Sequence, residues 1–331
     1  MSFVKCFFMV MLLLLPCFAL ANETDVQSAK DEGMRLYNIH HSTAALPYLE
    51  RAAEAGDVEA MYYMGEAERR QRMGSMTREA LVWYLKAAEH GDPYAMLRLF
   101  QGGACVAGDE CPEDAEGWRE KALAETLPKA EAGDTDAMLA LYHIYRLMDE
   151  GGEGVEWLEK AAEAGNPEAQ TRLGMNIRGG QGWYFLESRR LEAAEEWFRK
   201  AAEQGYVPAM SDLAGVLEKQ EKPEQAWEWT LRASENGHIE ERFGVGWCYL
   251  NPEELNSAAG EDICQNQQDV VRGWAILLAM VQEASDNSAE RAMNRNESRI
   301  TTEEIEEAEV LAGEWIGKQP PLSDFIPRFG Y

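Results

Sequence analysis

The chain of 331 residues is long enough for two ordinary domains or one extended repeat array, and its hydrophobic share of 46% excludes a disordered polymer. Its formal charge is -28, from 59 acids against 31 bases. Such a surface repels phosphate backbones and anionic lipid, which argues against nucleic acid or a membrane surface as partner. The acidity fits a cationic protein partner, and it also serves solubility.

The first element is an export signal. Lys5 supplies a positive start, Phe7 to Leu15 is an unbroken apolar run, Pro16 breaks it, and Ala19-Leu20-Ala21 has the small-x-small form that signal peptidase accepts. Residues 1–21 are expected to be removed before Asn22, leaving a periplasmic or secreted chain with no membrane insertion. A retained anchor would want roughly 20 apolar residues. A lipoprotein anchored at Cys17 would want a small residue where Pro16 stands.

From there the chain repeats itself. "RAAEAGDVEAM" begins at Arg51, "KAAEHGDPYAM" at Lys86, "KAAEAGNPEAQ" at Lys160 and "KAAEQGYVPAM" at Lys200, with worn copies "PKAEAGDTDAM" at Pro128 and "RASENGHIEER" at Arg232. Their glycines are Gly56, Gly91, Gly133, Gly165, Gly205 and Gly237, at gaps of 35, 42, 32, 40 and 32 residues. This period predicts helical hairpins that stack because none buries its apolar face alone. Eight residues before the glycines stand Tyr48, Trp83, Glu125, Trp157, Trp197 and Trp229; four after come Ala60, Ala95, Ala137, Ala169, Ala209 and Glu241; eight after come Met64, Leu99, Leu141, Leu173, Leu213 and Val245. The alanines allow close helix approach and the repeat tryptophans read as core packing. The glycine ends the first helix in a left-handed cap, and Asp or Asn often opens the second, with Pro93 and Pro167 in its first turn.

"AxxWYxKAAExG", present as Ala80-Leu-Val-Trp83-Tyr84-Leu-Lys-Ala87-Ala88-Glu89-His-Gly91, resembles the SEL-one-like repeat, a branch of the tetratricopeptide-type solenoids. The resemblance extends over roughly residues 29–315. It implies an all-α fold, a right-handed α-α superhelical solenoid of helix-turn-helix repeats over residues 22–316, followed by a Pro-rich tail at 317–331. The third unit, with Glu125 for its aromatic, and the sixth, with Glu241 for its alanine, are expected to be irregular.

Four inserts interrupt the array: 69–77, which is basic; 101–117; 175–191; and 248–269. Cys105 and Cys111 lie in the second and Cys248 and Cys264 in the fourth, so the preferred pairings are Cys105–Cys111 and Cys248–Cys264 among three possible. A four-thiolate zinc site is the competing reading, but structural zinc ligands usually sit in closer C-x₂₋₄-C pairs. The third insert carries Trp183-Tyr184-Phe185, which either fold onto their own solenoid or form an exposed binding tip. Beyond the fourth, Gly273 to Met280 reads as a degenerate seventh unit. Thr301-Thr-Glu-Glu304 then reads as a capping box for a closing helix with Ile305, Ala308, Ala312, Trp315 and Ile316 on one stripe.

Enzyme signals are absent from this reading. His40, His41, His90, His143 and His238 form no H-E-x-x-H pair; His90 and His238 read as flanking helix ends and His40-His41 as a helix terminus, and the acid pairs read as solvated faces. Gly179 to Trp183, "GGQGW", lacks the strand and the G-K-[ST] ending of a phosphate loop. No metal or cofactor is expected. The resemblance implies a non-catalytic scaffold for protein partners, since similar exported repeat proteins serve as immunity proteins against type VI secretion effectors, including phospholipases. An envelope assembly scaffold for polysaccharide export or cell-wall machinery, and a secreted host-interaction protein, are the alternatives.

Overall fold

A computed structural model describes residues 24–101, 115–259, 262–265, 267–318 and 320–329. The signal segment 1–21 and the cysteines Cys105 and Cys111 lie outside the described residues. The chain divides into two compact units, Met1–Glu125 and Thr126–Tyr331. Both are built of α-helices, and the described residues contain no strand beyond one isolated bridge between His238 and Ser323.

The first unit holds α1 (24–38), α2 (Ser42–Glu54), α3 (Val58–Arg70), α4 (Arg78–Glu89) and α5 (Pro93–Gln101). The helix α6 (Ala115–Glu131) runs across the division. The second unit continues with α7 (Thr135–Leu147), α8 (Gly151–Glu163), α9 (Pro167–Arg178), α10 (Glu187–Glu203), α11 (Val207–Lys219), α12 (Pro223–Glu235) and α13 (Ile239–Leu250). It ends with α14 (Pro252–Ala259), α15 (Val270–Ala284), α16 (Asn287–Asn296) and α17 (Thr302–Trp315). In both units successive helices pack as antiparallel hairpins.

The repeated letters do the work expected of them. The six repeat glycines all have φ between 84° and 99°, a left-handed conformation that ends the first helix of each hairpin without a Cβ clash. In most units the next residue caps the second helix: Asp57, Asp92 and Asn166 each accept a hydrogen bond at 2.8 Å from the backbone N–H three residues on, whereas Tyr206 makes no side-chain cap. Such a cap contributes about 1 kcal/mol. The alanines and the Met, Leu or Val positions that follow are buried, from Ala60, Ala95 and Leu99 at 0% exposure to Ala137 at 7%. The closing helix α17 opens on the expected capping box, with Thr301 and Glu304 exchanging hydrogen bonds, and buries Ala308 and Ala312.

Three expectations are corrected. Only one of the four repeat tryptophans is fully in the core: Tyr48 is 37% exposed, Trp83, Trp157 and Trp197 are half-buried, and Trp229 alone among these aromatics is buried. The position one residue later is the buried one, filled by Leu49, Tyr84, Leu158 and Phe198 at 0% exposure. Each indole instead lies at the rim with a cation over its face, Lys86 3.9 Å from Trp83, Lys160 4.1 Å from Trp157 and Lys200 3.9 Å from Trp197. The helices of the third and sixth units, α6, α7, α12 and α13, are continuous, and what irregularity these helices show is Pro128 within α6 and the long His238 cap of α13. Two inserts are shorter than read, because α3 extends to Arg70 and α9 to Arg178, leaving loops 71–77 and 179–186.

Glycines at a second register, nine residues after the helix-ending ones, are absent from the sequence reading. A Cβ on Gly65 would stand 2.5 Å from the Tyr84 ring, one on Gly174 2.8 Å from Phe198, and one on Gly246 2.9 Å from Ile276. These positions let the next hairpin's large buried side chain lie against bare backbone. The sequence signal is there, Gly65, Gly174 and Gly246 in register, but a helical glycine normally reads only as weakness.

Candidate functional site

The loop 179–186 between α9 and α10 is the most exposed apolar segment among the described residues. Its entry is fixed: Gly180 N–H donates to Ile177 O and Gln181 N–H to Asn176 O, at 3.0 and 2.9 Å, which closes α9. Gly180 and Gly182 take φ of 109° and 96°, turns that a side chain would resist, and a Cβ on Gly182 would strike the Tyr184 ring at 2.7 Å. The chain then presents Trp183 at 95%, Tyr184 at 38%, Phe185 at 97% and Leu186 at 61% exposure. The loop thus does not fold its aromatics onto the repeats. Four consecutive apolar side chains in water cost solvation, and such patches mark interaction sites more often than accident.

One ion pair ties the end of α9, where the loop begins, to α11, and two exposed pairs lie within α10. Arg178 meets Asp212 at 2.7 Å and lies 5.2 Å from the Phe198 ring centroid, while Arg189 pairs with Glu192 at 2.7 Å and Arg190 with Glu187 at 3.2 Å. Burial raises the Asp212 carboxyl above its ordinary value, opposed by the Arg178 charge. Beside the loop, Glu187, Ser188, Leu191, Lys219 and Lys222 line an open depression of about 650 Å³. Aromatic tip and depression share the α10 N-terminal turn.

The remaining chemistry-bearing residues are dispersed. His90 and His41 lie at helix ends, His238 caps α13, and His143 is buried on α7. No group of three metal-ligating side chains gathers among the described residues. Cys248 and Cys264 are bridged, with Cα atoms 5.2 Å apart, tying the end of α13 to the segment before α15. A cavity of about 110 Å³ lies among Ser234, Arg242, Arg272, Glu283 and Trp315. Its Arg242 is committed to the fold, donating to Ser234 O through Nε at 2.9 Å and Nη2 at 2.7 Å. No described helix is long and apolar enough to cross a membrane.

Comparison with known proteins adds the following. The Sel1 repeat profile matches residues 43–57, 58–92, 151–166, 167–206 and 210–238. An uncharacterized protein of Neisseria meningitidis serogroup B is 28% identical over 228 residues, which are 65% of this chain and 45% of that protein. The match thus spans less than half the length of that curated relative. Among solved structures, a protective antigen of uropathogenic Escherichia coli displaying an SLR fold is 24% identical, with a TM-score of 0.47, over 91% of this chain and 63% of its own. An immunity protein of Pseudomonas aeruginosa is 19% identical, with a TM-score of 0.42, over 68% of this chain and 83% of its own.

Proposed function

The chain carries Sel1 repeats, and on that premise we propose that it is a non-catalytic, exported scaffold that captures and neutralises a cationic secreted effector, as an immunity protein does. One observation carries the reading. Trp183 and Phe185, 95% and 97% exposed, stand on a loop anchored to a stack that buries its other aromatics at least in part. Rigid aromatics exposed on a fixed scaffold bind with little loss of conformational freedom, and they dominate contact energies where they are found. The charge of -28 supports a basic partner, because like charges would slow encounter and opposite ones speed it.

The experiment is capture of a basic effector candidate by the full chain, with growth protection on co-expression as the second readout. Binding is expected to weaken steeply as ionic strength passes about 0.1 M, where the Debye length falls to about 10 Å. It is expected to fall at least tenfold when Trp183 and Phe185 are both alanine. Equal binding by the double variant removes the loop from the reading, and salt-insensitive binding removes the charge argument.

A further inference from the structure

The C-terminal segment 320–329 lies on the second unit as an extended peptide. Ser323 N–H donates to Gly237 O at 2.9 Å and Ile239 N–H to Ser323 O at 3.2 Å, the isolated parallel bridge noted above. A Cβ on Gly237 would overlap the Pro321 carbonyl oxygen. Leu322 and Ser323 are buried, at 2% and 6% exposure. The Phe325 ring stacks on His238, centroids 6.1 Å apart and planes 25° apart. The segment then reaches α7, where Phe329 meets His143 edge-on at 5.2 Å.

Two features mark this seat as a place for a peptide, beyond a resting place for a chain end. The first is His238. The equivalent residues Asp57, Asp92 and Asn166 cap their helices at 2.8 Å, whereas the His238 ring accepts from Glu241 N–H at 3.5 Å. The sixth repeat gives up a good cap and gains a flat surface for an aromatic. The second is the tail's own backbone. Phe325 has φ of 47°, a left-handed conformation that an L side chain resists, so the resident is held under strain. The repeat core from Leu139 to Ala233 is meanwhile closed between helices without any tail residue.

We propose that this face of the second unit is an extended-peptide-binding surface, occupied by the chain's own tail. A protein partner enters by displacing the tail with a segment of the same chemistry: an aromatic for His238, followed four residues later by a second aromatic for His143. The assignment rests on the chain's being a protein-binding scaffold and does not require the loop 179–186.

The test uses the full chain and a fluorescein-labelled peptide of residues 320–329. A full-length variant carrying Phe325→Ala and Phe329→Ala, its tail weakened, is expected to bind the peptide at least tenfold tighter than the unaltered chain by anisotropy. The unaltered chain is expected to exchange the Ser323 amide proton far faster than core amides of α9 and α11, and faster still with excess peptide. No binding by the variant, binding equal to that of the unaltered chain, loss of folding in the variant, or Ser323 exchange as slow as the core would each make the tail a fixed structural element and overturn the proposal. Peptide binding without effector capture would leave this surface standing while the immunity reading fell, and the converse would do the opposite.

Discussion

Phe198 lies directly against the backbone of Gly174, so that a Cβ on Gly174 would approach the ring to 2.8 Å. The contact joins the second helix of one hairpin to the first of the next, and Phe198 is fully buried there. Gly174→Ala is therefore expected to destabilise the second unit by about 1–3 kcal/mol through overpacking. Gly215, in α11, has no atom within 4 Å of an added Cβ; Gly215→Ala should stabilise by about 0.5–1 kcal/mol, because it lowers the entropy of the unfolded chain. Urea unfolding of the two variants checks both signs, and destabilisation by both would mean that helix propensity is not the quantity at issue.

In the first unit a buried carboxylate gathers three elements. Glu66 on α3 accepts from Arg98 Nε at 2.6 Å, from Tyr84 Oη at 2.7 Å and from Arg69 Nη1 at 3.1 Å. The side chains of Glu66 and Arg98 are only 10% and 15% exposed. Removing one partner of such a pair leaves the other charge desolvated, so Glu66→Ala is expected to cost about 3–5 kcal/mol. Replacing both, as Glu66→Met with Arg98→Met, should cost clearly less. A double-mutant cycle by thermal unfolding reads the difference, and additive losses would show that the pair is not coupled.

The hairpin array was legible because its signal is local and repeated: a left-handed glycine in all six units, with a cap after it and alanines and leucines at helical spacing in most of them. The register of the core was not. Trp197 and Phe198 are equally apolar as letters, and only packing decides that the smaller ring goes inside while the indole straddles the rim under Lys200. The loop 183–186 could be read two ways, since sequence shows aromatics but not whether the repeats have room for them. The tail's seat was invisible for a further reason. Ser323 and Gly237 are far apart in the chain, and no periodicity links a single bridge to its partner.

Cys248 and Cys264 enclose a loop with a sequence separation of 16. Closing a loop of about 15 residues stabilises by about 3 kcal/mol in the chain-entropy model. Full-length protein purified from an oxidising compartment is expected to yield one tryptic peptide pair joined through these two residues, separable by reduction. The Cys248→Ala, Cys264→Ala variant should unfold at lower urea. Alkylation of either thiol without prior reduction would contradict the bridge.

Docking of the tail should depend on pH through His238. Burial lowers this imidazole from its ordinary value of 6.5, while the Glu240 and Asp324 carboxylates favour the charged form and oppose the shift. The undocked ring, being better solvated, binds a proton at higher pH than the docked one. Docking is therefore fully stable above about pH 6.5 and weakens as pH falls below it, toward the depressed value. Ser323 amide exchange, corrected for intrinsic rates, should accelerate relative to the core between pH 7.5 and 5.5. His238→Asn, which keeps a capping side chain and removes the titration, should flatten that dependence. Tighter docking on acidification would reverse the sign and exclude His238 as its cause.

The aromatics of the loop and those of the core should separate stability from binding. Phe198 is fully buried, and Phe198→Ala is expected to cost about 3–5 kcal/mol from lost transfer energy and the cavity left behind. Trp183 and Phe185 lose almost no exposed area on folding, at 95% and 97% exposure, so Trp183→Ala with Phe185→Ala should leave unfolding unchanged within about 0.5 kcal/mol. The same double variant should aggregate less at high concentration, because a contiguous apolar patch has been removed from water contact. A large loss of stability in the loop variant would mean that these rings pack onto the repeats in solution. They would then be unavailable to a partner, and the binding role assigned to the loop would pass to the surface under the tail.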